Sequence, residues 1–255
     1  MCPNCRAFVT TSDKVCPYCE VRLGPPARVR MDGGKILGGL IPQVRFTTVM
    51  ILLINTALYV ADSLSAQQIL TRAGASVPWA YEQQQLWRLV TAGFLHGGIL
   101  HILMNSWVLF DLGAEVEQIY GTSRMIVFYF FSTVTGFFLS SNLLHSASLG
   151  SSAGLFGLIG AMLAFGVTDK SALGANVKAL YSRWLIYALV LSFIPGVDYF
   201  AHIGGLAGGF IAGYLASTPR ARLMWKEPLI RGLAAASLAL TAGAFTMMFL
   251  YMSGH

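Results

Sequence analysis

Seven apolar stretches, at about residues 46–62, 97–113, 125–143, 151–168, 183–196, 200–216 and 230–251, are what any fold of this 255-residue chain must accommodate. A helix that crosses a bilayer needs about 20 mostly apolar residues, because its backbone polar groups find no water there and must pair internally. Only 11% of the residues are charged, against about a quarter in soluble domains. The pattern predicts an all-α membrane protein with seven spanning helices. The fifth stretch is short and ends at Pro195-Gly196. The only long loop, residues 63–96, joins the first two and carries Trp79, Tyr81, Trp87 and Arg88. Loops of that length in compact proteins are commonly functional or interfacial.

The net charge of +6 would suit nucleic acid if it clustered on a soluble face. Here the charges fall between apolar stretches, so topology accounts for them and no nucleic-acid partner is expected. Seven basic residues precede the first stretch: Arg6, Lys14, Arg22, Arg28, Arg30, Lys35 and Arg45. Placing that end in the cytosol also puts Arg124, Lys170, Lys178, Arg183, Arg220, Arg222, Lys226 and Arg231 inside, leaving Arg72 and Arg88 outside. The N-terminus is therefore predicted cytoplasmic and the C-terminus outside, in the cell membrane. The first 45 residues are polar and hold no apolar signal-peptide core, so the first stretch is expected to act as a signal-anchor. In this topology the second, fourth and sixth helices all enter from the outer face, and their early residues share one depth.

All four cysteines lie in the first 19 residues: Cys2-Pro-Asn-Cys5 and, ten residues on, Cys16-Pro-Tyr-Cys19. Two such knuckles offer four thiolates for tetrahedral zinc. Disulfides are the competing arrangement, and a cytosolic location disfavours them. Residues 1–24 are read as a zinc-ribbon-like module, with Cys2, Cys5, Cys16 and Cys19 as ligands, and residues 25–43 as a basic Gly/Pro-rich linker. Its knuckles carry only Arg6 and Lys14, which argues against nucleic acid. A cytosolic partner of the module is left open, as is the simpler role of zinc in folding a tail without a core.

Polar residues inside membrane helices are costly and default to functional candidates. The second helix carries His101 and Asn105, four apart and on one face. The fourth opens on Gly150-Ser151-Ser152, and the sixth carries His202 at its outer end. Taken singly, each has an ordinary explanation: a membrane serine bonding its own backbone, a packed histidine, an asparagine bridging helices. As a set on three co-directional helices, they supply a hydroxyl nucleophile, a base and an amide donor in Ser152, His202 and Asn105. Gly204, Gly205, Gly208, Gly209 and Gly213 on the sixth helix, with Gly150, Gly154 and Gly157 on the fourth, permit the close helix approach that a shared proton requires, though ordinary membrane packing explains the glycines equally well by themselves.

The stretch His96-Gly-Gly-Ile-Leu-His101-Ile-Leu-Met-Asn105, the Gly150-x-Ser152 motif and Ala201-His202-x-Gly204-Gly205-x-x-x-Gly209 resemble those of the rhomboid intramembrane serine proteases. Trp87-Arg88 and the region of Glu117 also resemble family positions. The likeness covers roughly residues 44–217 and implies a six-helix catalytic core. Residues 218–255 then add a cytosolic loop and an extra seventh span. It implies cleavage of single-span membrane proteins by a Ser152–His202 dyad, with His101, Asn105 and the Ser152 N–H as the oxyanion site. No cofactor is implied for the chemistry, and the partners are membrane-protein substrates and lipid. His96 resembles a structural position, Trp87-Arg88 a bracing loop, and Gly150 and Gly205 supporting positions. Ala153 stands where the family often has Gly. Phe156 stands where a Tyr commonly stacks on the histidine, keeping the ring face without the hydroxyl.

Asp198, four residues before His202, raises the question of a triad. The resemblance implies a dyad, and Asp198 fits better as an N-cap of the sixth helix. A soluble-hydrolase elbow is excluded because no strand precedes the serine. A non-catalytic rhomboid-like chaperone or substrate-binding protein is the alternative function. A transporter would show inverted repeats and broken helices at mid-membrane, and neither is evident.

Overall fold

The computed structural model describes residues 15–16, 18–21, 35–36, 41–42, 45–65, 67–78, 84–144, 146–216 and 226–254. The chain divides into two compact units, residues 1–43 and 44–255. In the first, the Cys16 N–H donates to the Val21 carbonyl (3.0 Å) and the Glu20 N–H to the Cys16 carbonyl (2.9 Å), closing a tight turn around Cys19. Strands β1 (Lys35–Ile36) and β2 (Ile41–Pro42) pair antiparallel. Cys2 and Cys5 lie outside the described residues, as does most of the predicted linker.

The described residues of the second unit form nine α-helices: α1 (Phe46–Leu64), α2 (Ile69–Gly74), α3 (Arg88–Thr91), α4 (Ile99–Tyr120), α5 (Thr122–Leu143), α6 (Ser152–Thr168), α7 (Ala172–Leu191), α8 (Tyr199–Ala216) and α9 (Glu227–Met252). Each of the seven expected apolar helices is present. Five of them, α1, α4, α5, α8 and α9, are long and apolar enough to cross a membrane, and α6 is apolar but shorter at 17 residues. The protein is an all-α, multi-pass integral membrane protein.

The fifth helix departs from the sequence reading, which placed it at 183–196. It runs from Ala172 to Leu191. Lys178 and Arg183 dilute the apolar pattern there, but Ser171 caps the start by accepting the Gly174 N–H at 3.4 Å. At the other end the Ser192 hydroxyl donates back to the Ala188 carbonyl (2.8 Å), and the chain turns before Pro195. The helix therefore begins earlier than its apolar run and stops short of the proline.

Helix α6 is apolar all round, with Ala153 to Met162 buried without interruption, and sits at the centre of the bundle against α4, α5, α7 and α8. Glycine sets these spacings. A Cβ on Gly209 would overlap the Gly157 carbonyl, and one on Gly205 the Ala153 carbonyl. The long loop is held by its own polar groups. The Arg88 side chain, 1% exposed, donates to the Arg72 (2.9 Å) and Ala75 (2.8 Å) carbonyls and to Gln85 Oε1 (2.6 Å). The Trp87 indole N–H donates to the Ala73 carbonyl (3.1 Å). Helix α9 covers this loop, with Phe245 edge-on to Phe94 (5.6 Å) and Tyr251 tilted on Trp87 (5.5 Å). Its start is tied to α5 by a two-pronged Arg124–Glu227 ion pair, 2.7 and 3.2 Å.

Candidate active site

Gly150 prepares the site. Its φ of +134° lies where only glycine is unstrained, and an added Cβ would fall 2.7 Å from His101 Nε2. Its N–H donates to the Ala92 carbonyl (2.9 Å), and two residues earlier Ser148 pairs both ways with Ser76 (2.8 and 2.9 Å). The serine loop is thus pinned to the long loop at two points. Ser151 is fully buried, and its hydroxyl meets His96 Nε2 at 3.2 Å. Burial, reinforced by neighbouring His101, pulls the His96 imidazole down to about 4, so it is neutral near pH 7.

Ser152 is the first residue of α6, so its N–H has no acceptor within that helix. Its Oγ lies 2.8 Å from His202 Nε2. His202, near the start of α8, is only 6% exposed and is stacked on one face by Phe156, whose ring lies at 14° and 4.1 Å away. Phe156 follows Ser152 by one turn, so the hydroxyl and the stacking ring share one face of α6. Gly205, one turn after His202, abuts the Ala153 carbonyl and brings α8 down onto α6 directly behind the pair. Ala153 is accommodated because Gly136 of α5 faces it.

His101 and Asn105 flank the serine loop from α4. His101 sits against the Gly150 backbone and edge-on to His96 at 5.1 Å. Asn105 is buried, and one amide hydrogen goes back to the His101 carbonyl at 3.0 Å, leaving the other amide hydrogen as a donor. The structure therefore brings Ser152, His202, Phe156, Gly150, Gly205, His101 and His96 into one neighbourhood, with Asn105 one turn further along α4.

Asp198 caps α8, as expected: its carboxylate accepts the Ala201 N–H (3.0 Å) and the Ser140 hydroxyl. The far nitrogen of His202, Nδ1, meets Ser192 Oγ at 2.6 Å. Sequence reasoning missed Ser192, and it also missed Gly136. Neither stands in a spacing that marks it, since the turn after α7 and the meeting of three helices are what place them. Cys16 is buried and Cys19 partly so. Among the described residues no group of three or more His, Cys, Asp or Glu is arranged to hold a metal. The zinc reading therefore rests on a set of which only Cys16 and Cys19 are described.

Comparison with known proteins matches a family model, the rhomboid domain, to residues 83–219. Similar proteins include RHOMBOID-like protein 4 of Arabidopsis thaliana, 36% identical over 59% of this chain and 39% of its own length. RHOMBOID-like protein 6, mitochondrial, of the same plant is 41% identical over 51% of this chain and 43% of its own. Rhomboid protease GluP of Bacillus subtilis (strain 168) is 31% identical over 74% of this chain and 36% of its own. The chain spans about two fifths of the length of these curated relatives.

Proposed function

Because the chain belongs to the rhomboid family, we propose that it is an intramembrane serine endopeptidase that cleaves single-span membrane proteins near the outer face of the membrane. The observation that carries this is the 2.8 Å contact between Ser152 Oγ and His202 Nε2, with the imidazole held flat by Phe156. That distance is within reach for direct proton transfer. The name of the Bacillus relative, a protease, supports the same reading.

In this reading the Ser152 hydroxyl proton passes to Nε2 as Oγ bonds to the scissile carbonyl carbon. The carbonyl electron pair moves to oxygen, against the Ser152 N–H at the start of α6, the His101 imidazole and the Asn105 amide. The C–N bond then breaks, and its nitrogen takes the proton back from Nε2. Water deacylates the serine by the same steps in reverse order of partners. Helix α6, 17 residues and about 26 Å long, is shorter than the ~30 Å hydrocarbon core, which supports a Ser152 set below the membrane surface.

The basic residues support an N-terminus on the cytosolic side of the cell membrane and a C-terminus outside. The four cysteines support zinc in the N-terminal module. Metal analysis tests that part: replacing Cys16 and Cys19 by Ser lowers bound zinc, and unchanged zinc removes the claim. For the chemistry, the wild type, Ser152→Ala and His202→Ala are compared on a model single-span substrate in liposomes. Cleavage is expected from the wild type alone. Equal cleavage by all three sinks the mechanism, and no cleavage by any of them favours the non-catalytic alternative.

A further inference from the structure

We propose that Ser192 is a positioning residue for His202, fixing which imidazole nitrogen is free to act as the base; the inference rests on the proteolytic reading above. Ser192 follows the last residue of α7 and is 2% exposed, and its Oγ lies 2.6 Å from His202 Nδ1. A serine hydroxyl has one hydrogen to give. Here the Ala188 carbonyl, 2.8 Å from Oγ, is an acceptor that can only receive it. Once that hydrogen is committed to Ala188, Ser192 Oγ faces His202 with a lone pair, and Nδ1 must be the protonated nitrogen. Nε2 is then bare and faces Ser152 Oγ at 2.8 Å, the arrangement a general base needs.

The opposite assignment is self-defeating. If Ser192 donated to Nδ1, its oxygen would meet the Ala188 oxygen at 2.8 Å with no hydrogen between them. Nε2 would carry the hydrogen and offer Ser152 no place for its own. The line therefore reads Ser152 O–H to His202 Nε2, His202 Nδ1–H to Ser192 Oγ, Ser192 O–H to the Ala188 carbonyl. During attack only the Ser152 proton moves; the Nδ1 hydrogen stays on the ring. The C-terminal end of α7, where the helix dipole is negative, also lies on this side of the ring and favours the imidazolium that forms.

The test uses the full chain in liposomes, with cleavage kinetics of the model substrate and ¹⁵N NMR of histidine-labelled protein, His202 being assigned by its absence in His202→Ala. The wild type should show Nδ1 protonated and Nε2 bare. Ser192→Ala should lower kcat about tenfold, or about 1.4 kcal/mol of barrier, leave KM near the wild-type value, and populate the Nε2-protonated form. Ser192→Thr, which keeps the hydroxyl, should restore the nitrogen signature and most of the rate. Three results overturn the proposal: unchanged kcat in Ser192→Ala, a fall in kcat with the wild-type signature retained, or a threonine variant with that signature but no recovered rate. If the wild type itself does not cleave, the proteolytic reading fails, while the nitrogen signature, read without substrate, still decides the role of Ser192.

Discussion

Gly136 offers the most exacting test of the packing behind the site. It lies on α5 where α6 and α8 converge, and it touches the residue after Ser152 and the residue before His202. A methyl there would fall 2.7 Å from the Ala201 carbonyl oxygen, 2.8 Å from Ala153 Cβ and 3.3 Å from the Gly205 nitrogen. The first of these is about 0.7 Å short of the 3.4 Å at which ordinary contact begins. None of the three atoms is the loose end of a flexible side chain, so relief must come from moving a helix. Overpacking of this kind costs about 1–3 kcal/mol. A shift approaching 1 Å in either α6 or α8 stretches the 2.8 Å Ser152–His202 contact toward or beyond hydrogen-bond range, a misplacement worth roughly a hundredfold in rate. Gly136→Ala should therefore lower the thermal midpoint in detergent and cut kcat/KM of substrate cleavage by about two orders of magnitude. Gly243→Ala is the control, because an added Cβ on that α9 glycine meets nothing within 4 Å. A Gly136→Ala protein with wild-type kcat/KM and wild-type midpoint would refute the argument that these backbones have no slack.

Three further expectations follow from groups around that core. Glu117, 3% exposed, accepts from the Thr47 N–H (2.9 Å), the Thr48 N–H (3.1 Å) and the hydroxyls of Thr48 (3.0 Å) and Thr122 (3.1 Å). Glu117→Gln turns one acceptor into a donor among donors and should cost about 1.5–3 kcal/mol of stability in calorimetry or denaturant unfolding; no loss would mean the carboxylate is not the tie between α1 and α4. His96 titrates near 4 when folded and at its ordinary 6.5 when unfolded. Between those values the unfolded chain binds the extra proton, so stability is full above about 6.5 and falls with acid until about 4, by up to about 3 kcal/mol. Thermal midpoints at pH 7 and pH 4.5 should diverge less in His96→Gln, and an identical pH slope in both proteins would contradict this. A double-mutant cycle on Arg124 and Glu227 should give a coupling of about 1 kcal/mol, and the charge-swapped pair should recover much of it. Zero coupling would mean that apolar packing, not this ion pair, holds α9 to α5.

Much of the fold is legible because water exclusion forces long apolar runs into helices. The fifth helix shows the limit of that signal. Its first half is polar enough to look like a loop, and tertiary structure extends it: the Ser171 cap, the packing of Lys178 on Gly166, and the burial of Val177 and Tyr181. The approach of Ser152 to His202 is written into the chain by two features together: both open co-directional helices, and glycines one and two turns on, at Gly205 and Gly209, remove the side chains that would separate them. Gly136 carries no comparable pattern. It is one glycine in an aromatic-rich helix, and it matters because Ala153 and Ala201 arrive opposite it. Asn105 is half legible: its depth and face follow from helical periodicity, while its bond to the His101 carbonyl depends on side-chain geometry.

The histidine's partner shows why sequence proximity misleads inside a membrane. Asp198 is the obvious candidate, four residues ahead of His202 and charged. A carboxylate brought against a buried imidazole must lose its water, and in a low-dielectric site that cost rivals the attraction gained. The fold uses Asp198 where its charge is supported, accepting the Ala201 N–H at the positive end of α8 together with the Ser140 hydroxyl. His202 Nδ1 instead meets the neutral Ser192 hydroxyl, whose own hydrogen is taken by a backbone carbonyl. A neutral partner is far cheaper to desolvate than a carboxylate. It can still dictate the tautomer, because the direction of one hydroxyl hydrogen decides which ring nitrogen holds the other. If Asp198 were the orienting group, Asp198→Asn would change the rate as strongly as Ser192→Ala. On this geometry it should mainly weaken the start of α8 and leave the His202 nitrogen signature unchanged.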